Sequence, residues 1–114
     1  MSAFVKVDVE FDDIESLMAG LGAIGFSKSH IEVHEEPVNL YGYKGDARAQ
    51  KAELVIRRNH MTTASNDMGF FKNASGKYSM YISEYDRAAL PPTKNFKNLH
   101  HMMAELKAQY AVAI

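Results

Sequence analysis

The sequence predicts an α+β fold, a single two-layer sandwich in which an N-terminal and a C-terminal helix pack on one face of a mostly antiparallel sheet. Three observations predict it. Val5, Val7, Val9 and Phe11 alternate with Lys6, Asp8 and Glu10, the period-two pattern of a half-buried strand. Ile14, Leu17, Met18, Leu21 and Ile24 follow at helical spacing, and Phe96, Leu99, Met103, Leu106 and Tyr110 repeat that spacing near the other end. Between these two helical stretches lie only strand-like runs and turn signals, the order of an α+β sandwich rather than of alternating strands and helices.

The elements follow in order. Asp12 stands three residues before Glu15, a variant of the capping box, and Gly25 is a natural helix stop. A second strand is expected over residues 31–38, with Ile31 and Val33 inward and Pro37 marking an edge or a strand end. Leu40 to Tyr43 reads as a short strand before the turn-forming Lys44, Gly45 and Asp46. Ala52, Leu54 and Ile56 alternate with Glu53, Val55 and Arg57 as a further strand, and residues 59–67 read as a polar loop. Met68 to Lys72 and Tyr78 to Tyr85 are strands joined by the hairpin connection Asn73-Ala74-Ser75-Gly76. Pro91-Pro92 closes that region, and Thr93 or Asn95 caps the last helix. The sheet face away from the helices is expected to be solvated or covered by a second copy.

The 114 residues suit one domain spanning 1–114. Thirteen Lys and Arg against fourteen Asp and Glu leave a net charge of −1, which argues against nucleic acid or an anionic membrane as partner. The absence of Cys excludes disulfides, thiolate metal sites and cysteine nucleophiles. The alternating N-terminus has no signal-peptide h-region, and no stretch reaches the ~20 apolar residues that span a bilayer, so a cytoplasmic location is expected. Charge is unevenly laid out: residues 1–36 hold two basic and eight acidic side chains, residues 37–114 eleven basic and six acidic.

Few constellations carry chemistry. His30, Glu32 and His34 share one strand face, but at about 3.3 Å per residue the two imidazoles lie roughly 13 Å apart, too far for one metal ion. His100 and His101 are adjacent on a helix and point about 100° apart, and His60 stands alone, so no metal site is expected. The Gly69 to Lys77 segment misses the phosphate-loop spacing and its Ser or Thr, and reads as a hairpin. Arg57, Arg58, Lys72 and Lys77 with Phe70, Phe71, Tyr78 and Tyr81 would form a single-strand nucleic-acid site only if the aromatics were not core residues. Asp67, Glu84 and Asp86 stand at strand ends, where a turn or capping role is the expectation for Asp67.

Four pieces occur together: Gly42-Tyr43-x-Gly45, Ala52-x-x-Val55-Ile56, Asp67-Met68-Gly69-Phe70 leading to Gly76-x-Tyr78, and Gln109-Tyr110-Ala111. With Phe4-x-Lys6-Val7 and Asp13-Ile14-x-x-Leu17, they resemble the conserved hypothetical chloroplast reading frame 35 family, also called domain of unknown function 1257, found in algal plastids, cyanobacteria and phages. The segment after Tyr78 lacks the Trp-containing stretch of plastid members, and the chain stops at Ile114 where many members continue, which favours a phage or environmental member. The resemblance implies a conserved hypothetical protein and assigns no activity.

Taken together, the residues lead to a non-enzymatic accessory or adaptor protein acting through contacts with a protein partner or with a second copy, without catalytic residues, metal or cofactor. The alternative is a small-ligand binder or enzyme, with a pocket near Tyr43, Arg57, Asp67 and Tyr78 between sheet and loops. Single-stranded nucleic-acid binding is the third reading.

Overall fold

The computed structural model describes residues 3–60, 66–84 and 99–114. They run β1 (Phe4–Phe11), α1 (Ile14–Ala23), a 3-10 turn (Lys28–His30), β2 (Glu32–Tyr41), β3 (Ala47–Ile56), a second 3-10 turn (Arg58–His60), β4 (Met68–Lys72), β5 (Tyr78–Ser83) and α2 (Leu99–Ala113). The strands form one antiparallel sheet in the order β1-β5-β4-β3-β2, so the first strand completes the sheet beside the last. The fold is the expected α+β sandwich. The Pro91-Pro92 break, both expected α2 caps, Phe96, Met61, Asp86 and the far end of the expected fifth strand at Tyr85 lie outside the described residues.

The main core lies between the sheet and the two helices. Val9 and Phe11 of β1, Leu54 and Ile56 of β3, Met68 and Phe70 of β4, and Met80 and Ile82 of β5 meet Leu17 and Leu21 of α1 and Met102 and Leu106 of α2. The cap of α1 is Asp13 rather than Asp12: its carboxylate accepts hydrogen bonds from the Glu15 amide at 3.4 Å and the Ser16 hydroxyl at 2.6 Å. The Ser16 bond draws that carboxyl below its usual range. Asp12 and Asp13 instead donate their amides to the Tyr110 hydroxyl of α2, at 2.9 and 3.0 Å. The Tyr110 ring meets Phe11 edge-on at 4.9 Å, so the C-terminal helix fixes the junction of β1 and α1. Helix α1 ends at Ala23, and Gly25 turns the chain with φ +112°, a region disfavoured for side-chain-bearing residues.

Where a short strand was expected after residue 38, β2 continues unbroken to Tyr41 and β3 begins at Ala47, making one long hairpin around the Gly42–Asp46 turn. Its register is irregular. Val33 pairs with Leu54 but Val38 with Ala52, so residues 34–37 bulge out of β2 around Pro37. On β3 the strict alternation fails as well: Leu54 and Ile56 face the helices, whereas Ala52 and Val55 belong to a second cluster with Leu40. The Glu53 side chain between them accepts a hydrogen bond from the Lys72 amide at 3.0 Å.

These irregularities fold the far half of the hairpin back over the other face of the sheet. Leu40, Ala52 and Val55 there pack with Phe4, Val38, Phe71 and Tyr81. The Phe71 and Tyr81 rings stack at 4.4 Å, Phe4 meets Tyr81 edge-on at 6.5 Å, and the Arg48 guanidinium of the hairpin lies 5.9 Å over the Phe4 ring. The second face is therefore covered in part by the chain's own hairpin, a cover the sequence did not suggest. Two glycines allow the approach. A Cβ on Gly42 would fall on the Arg48 guanidinium, and one on Gly69 would stand 2.8 Å from both the Ala52 Cβ and the Leu40 Cδ2.

Gly69→Ala is expected to push the hairpin off β4 and to destabilise the protein by roughly 1–3 kcal/mol, the usual range for overpacking. Urea unfolding of the variant checks this; an unchanged midpoint would mean that the second face is not closely packed.

Candidate functional site

The polar constellation best held by the fold lies where the hairpin returns to the sheet. Asp67 precedes β4 and is buried to 1% exposure. Its Oδ2 accepts from the Tyr41 amide and from Arg57 Nη1, each at 2.8 Å, and its Oδ1 accepts from the Arg58 amide at 2.8 Å. Its own amide donates to the Tyr41 carbonyl at 2.9 Å. Next to it, buried Asn66 accepts from the Tyr43 amide through Oδ1 at 2.9 Å. Residues 66–67 thus take the place of a neighbouring strand along β2, satisfying backbone groups that an edge strand leaves open.

Arg57, one residue past the end of β3, completes the arrangement. Its Nε and Nη2 donate to the two oxygens of Glu32, at 2.8 and 2.9 Å, a bidentate pair. Nη1 donates to Asp67 and, at 3.2 Å, to the Asn39 carbonyl, and the guanidinium lies 5.2 Å over the Tyr41 ring. The Glu32 hydrogen bonds hold the arginine proton more firmly than usual against the opposing effect of burial, with Asp67 adding to them. In return Glu32 is drawn below the usual carboxylate range, first by Arg57 and further by His34, whose Nε2 lies 2.9 Å from Glu32 Oε1.

Of the residues named from sequence, Arg57 and Asp67 are in direct contact. Tyr43 sits on the turn beside them, its ring 5.6 Å from Lys44 Nζ. Tyr78 lies elsewhere, packed against the main core on the helix side. Two open depressions flank the turn. One, of about 340 Å³, is lined by Tyr41, Gly45, Arg57, Arg58, Asn59 and Asp67. The other, of about 470 Å³, is lined by Tyr43, Lys44, Asp46 and Arg48.

Other sequence candidates resolve differently. His30 lies in the first 3-10 turn, not on the strand with Glu32 and His34, and its ring stacks on that of His60 at 4.0 Å. His101 lies 3.7 Å from Glu105. No group of three potential metal-binding side chains occurs among the described residues. The basic–aromatic cluster does not assemble: Phe70 and Tyr78 face the helices, Phe71 and Tyr81 the opposite side, and Lys77 pairs with Asp12 at 3.5 Å. Glu84 is exposed and donates its amide to the Ala3 carbonyl. Glu32, Asn39 and Tyr41 escaped the sequence reading as partners of Arg57, because a register bulge and a folded-back hairpin bring them together. No family model, curated protein or solved structure matches the chain. No helix among the described residues is long and apolar enough to cross a membrane.

Asp67→Ala is expected to cost about 3–5 kcal/mol in urea unfolding, since it strands a partly buried guanidinium and open backbone donors. A loss below about 1 kcal/mol, the scale of an exposed ion pair, would show that water replaces the carboxylate. Glu32 gives a pH dependence. Its carboxyl is depressed in the folded state, so its contribution is present above the unfolded carboxyl range and disappears as pH falls through the folded one. Stability measured from pH 7 to pH 3 should converge between wild type and Glu32→Gln at the acid end; a constant gap would contradict the assignment.

Proposed function

We propose that this chain is a non-enzymatic accessory protein that acts through protein contacts, by capture of a partner or by self-association. The observation that carries this reading is the state of the Arg57–Asp67 constellation. The Asp67 carboxylate receives three hydrogen bonds from the chain itself, and Arg57 serves Glu32, Asp67, the Asn39 carbonyl and the Tyr41 ring. Groups so engaged hold the hairpin in place, whereas a general acid, base or substrate clamp must turn toward a ligand. Exposed Val33 and Tyr41, at 52% and 43%, add apolar contact surface along β2. We also propose that the chain is a member of the chloroplast reading frame 35 family, on the collinear motifs from Phe4 to Ala111, and a phage or environmental one, on the lack of the Trp-containing stretch after Tyr78.

The test is affinity capture from host lysate at moderate salt, with sedimentation velocity of the purified chain. One stoichiometric protein partner, or a concentration-dependent dimer, is the expected result. A monomer that retains no protein would overturn the reading.

A further inference from the structure

Helix α1 carries two glycines whose surroundings differ. A Cβ on Gly20 would stand 3.2 Å from both the Leu106 Cδ1 and the Tyr110 amide nitrogen, so that glycine lets α2 approach closely. Gly22, in the last turn of the same helix, is exposed, and nothing lies within 4 Å of where its Cβ would stand. Glycine is among the poorest helix formers, and neither a turn nor packing among the described residues calls for it there.

Gly22 lines an open depression of about 460 Å³ together with Glu15, Met18, Ala19 and Lys28. Residues 15, 18, 19 and 22 fall at the spacing of one helix face. It is the face turned away from Leu17, Gly20 and Leu21, which are buried toward the core and α2. The depression carries one carboxylate, from the first turn of α1, and one ammonium, from the 3-10 turn that follows the helix. Both residues are exposed, and neither side chain has a hydrogen bond or ion pair among the described residues. A patch with one charge of each sign is complementary to itself. A two-fold axis perpendicular to α1 brings the carboxylate of each copy to the ammonium of the other. The same axis sets the two helices antiparallel, each positive N-terminal end beside the negative C-terminal end of its counterpart.

We propose that a second copy of this chain docks on this face, α1 against α1, with Glu15 of each copy paired to Lys28 of the other and with Ala19 and Gly22 letting the helix backbones approach. The proposal rests on the reading that the chain acts through protein contacts, and it commits the partner to a second copy. Gly22 thereby acquires the role that packing within one chain does not give it.

The test is sedimentation velocity of the full chain over a wide concentration range. Wild type should form a dimer as concentration rises. Glu15→Lys and Lys28→Glu each place like charges at both reciprocal contacts, and each should weaken self-association roughly tenfold or more, the effect of two ion pairs lost and opposed. Mixed in equal amounts, the two variants should associate again, because every contact then joins opposite charges. Gly22→Gln should abolish the dimer while its melting temperature in dilute solution stays at or above that of wild type, since the new side chain meets open space. Thermal melts of the charge variants separate lost docking from lost folding. The proposal is overturned by a dimer indifferent to Glu15→Lys, Lys28→Glu and Gly22→Gln, or by a mixture that fails to associate. A monomeric wild type that captures one stoichiometric protein from lysate would overturn it and leave the accessory-protein reading in place. A monomeric wild type that captures nothing would overturn both.

Discussion

The ion pair between Arg57 and Asp67 is the interaction on which the shape of this protein turns. A buried carboxylate is expensive to desolvate, and Asp67 is tolerable only because its oxygens are met by a guanidinium and two backbone amides. Those partners come from β2, from the end of β3 and from the start of the second 3-10 turn, segments far apart in any extended chain. Arg57 carries the connection on to Glu32 and Asn39, the two ends of the bulged stretch of β2. One pair of opposite charges therefore sets where the hairpin bends and where it stops. Whether or not it adds net stability, such a network selects one geometry among the many a long hairpin could adopt.

From that geometry the rest of the second face follows. A flat hairpin would leave Phe4, Phe71 and Tyr81 open to water. The bulge at residues 34–37 and the altered facing of Ala52 and Val55 turn the hairpin inward, and Gly69 and Gly42 give it room. Arg48 is then held between the Gly42 backbone and the Phe4 ring, with Asp46 at 2.6 Å balancing its charge. The domain thus has two unequal cores on either side of one sheet, and β3 contributes to both through neighbouring residues, Leu54 and Val55.

Much of this was legible in the residues. Period two in β1, period 3.6 in α1 and α2, and the Asn73–Gly76 connection are local signals, and local signals survive in the structure because they agree with the fold. The failures are equally specific. Asp12 and Asp13 are both good caps; the Asp13 carboxylate takes the role, and the Tyr110 hydroxyl, ninety-eight residues from Asp12, accepts from both of their amides. The alternation of Ala52, Leu54 and Ile56 suggested one face, but the bulged register divides it. Asp67 read as a turn residue, or with Arg57 as part of a pocket, and nothing in its neighbourhood reveals that the Tyr41 and Arg58 amides will converge on it. Several residues of the collinear motifs, Gly42, Asp67, Gly69 and Tyr110 among them, hold close approaches or long-range bonds.

The Tyr110 bond also has a consequence for the order in which the protein can be made. Strand β1 is made before the other described elements, yet it pairs with β5, and the junction it forms with α1 is fastened by a residue of α2. The apolar stripe of α1 likewise faces α2, the last described element to be synthesised. The nascent chain can therefore complete neither β1 nor α1 until β5 and α2 have emerged. Until then β1 and α1 must wait with Val5, Val7, Leu17 and Leu21 exposed, a state in which chaperone contact is to be expected during translation.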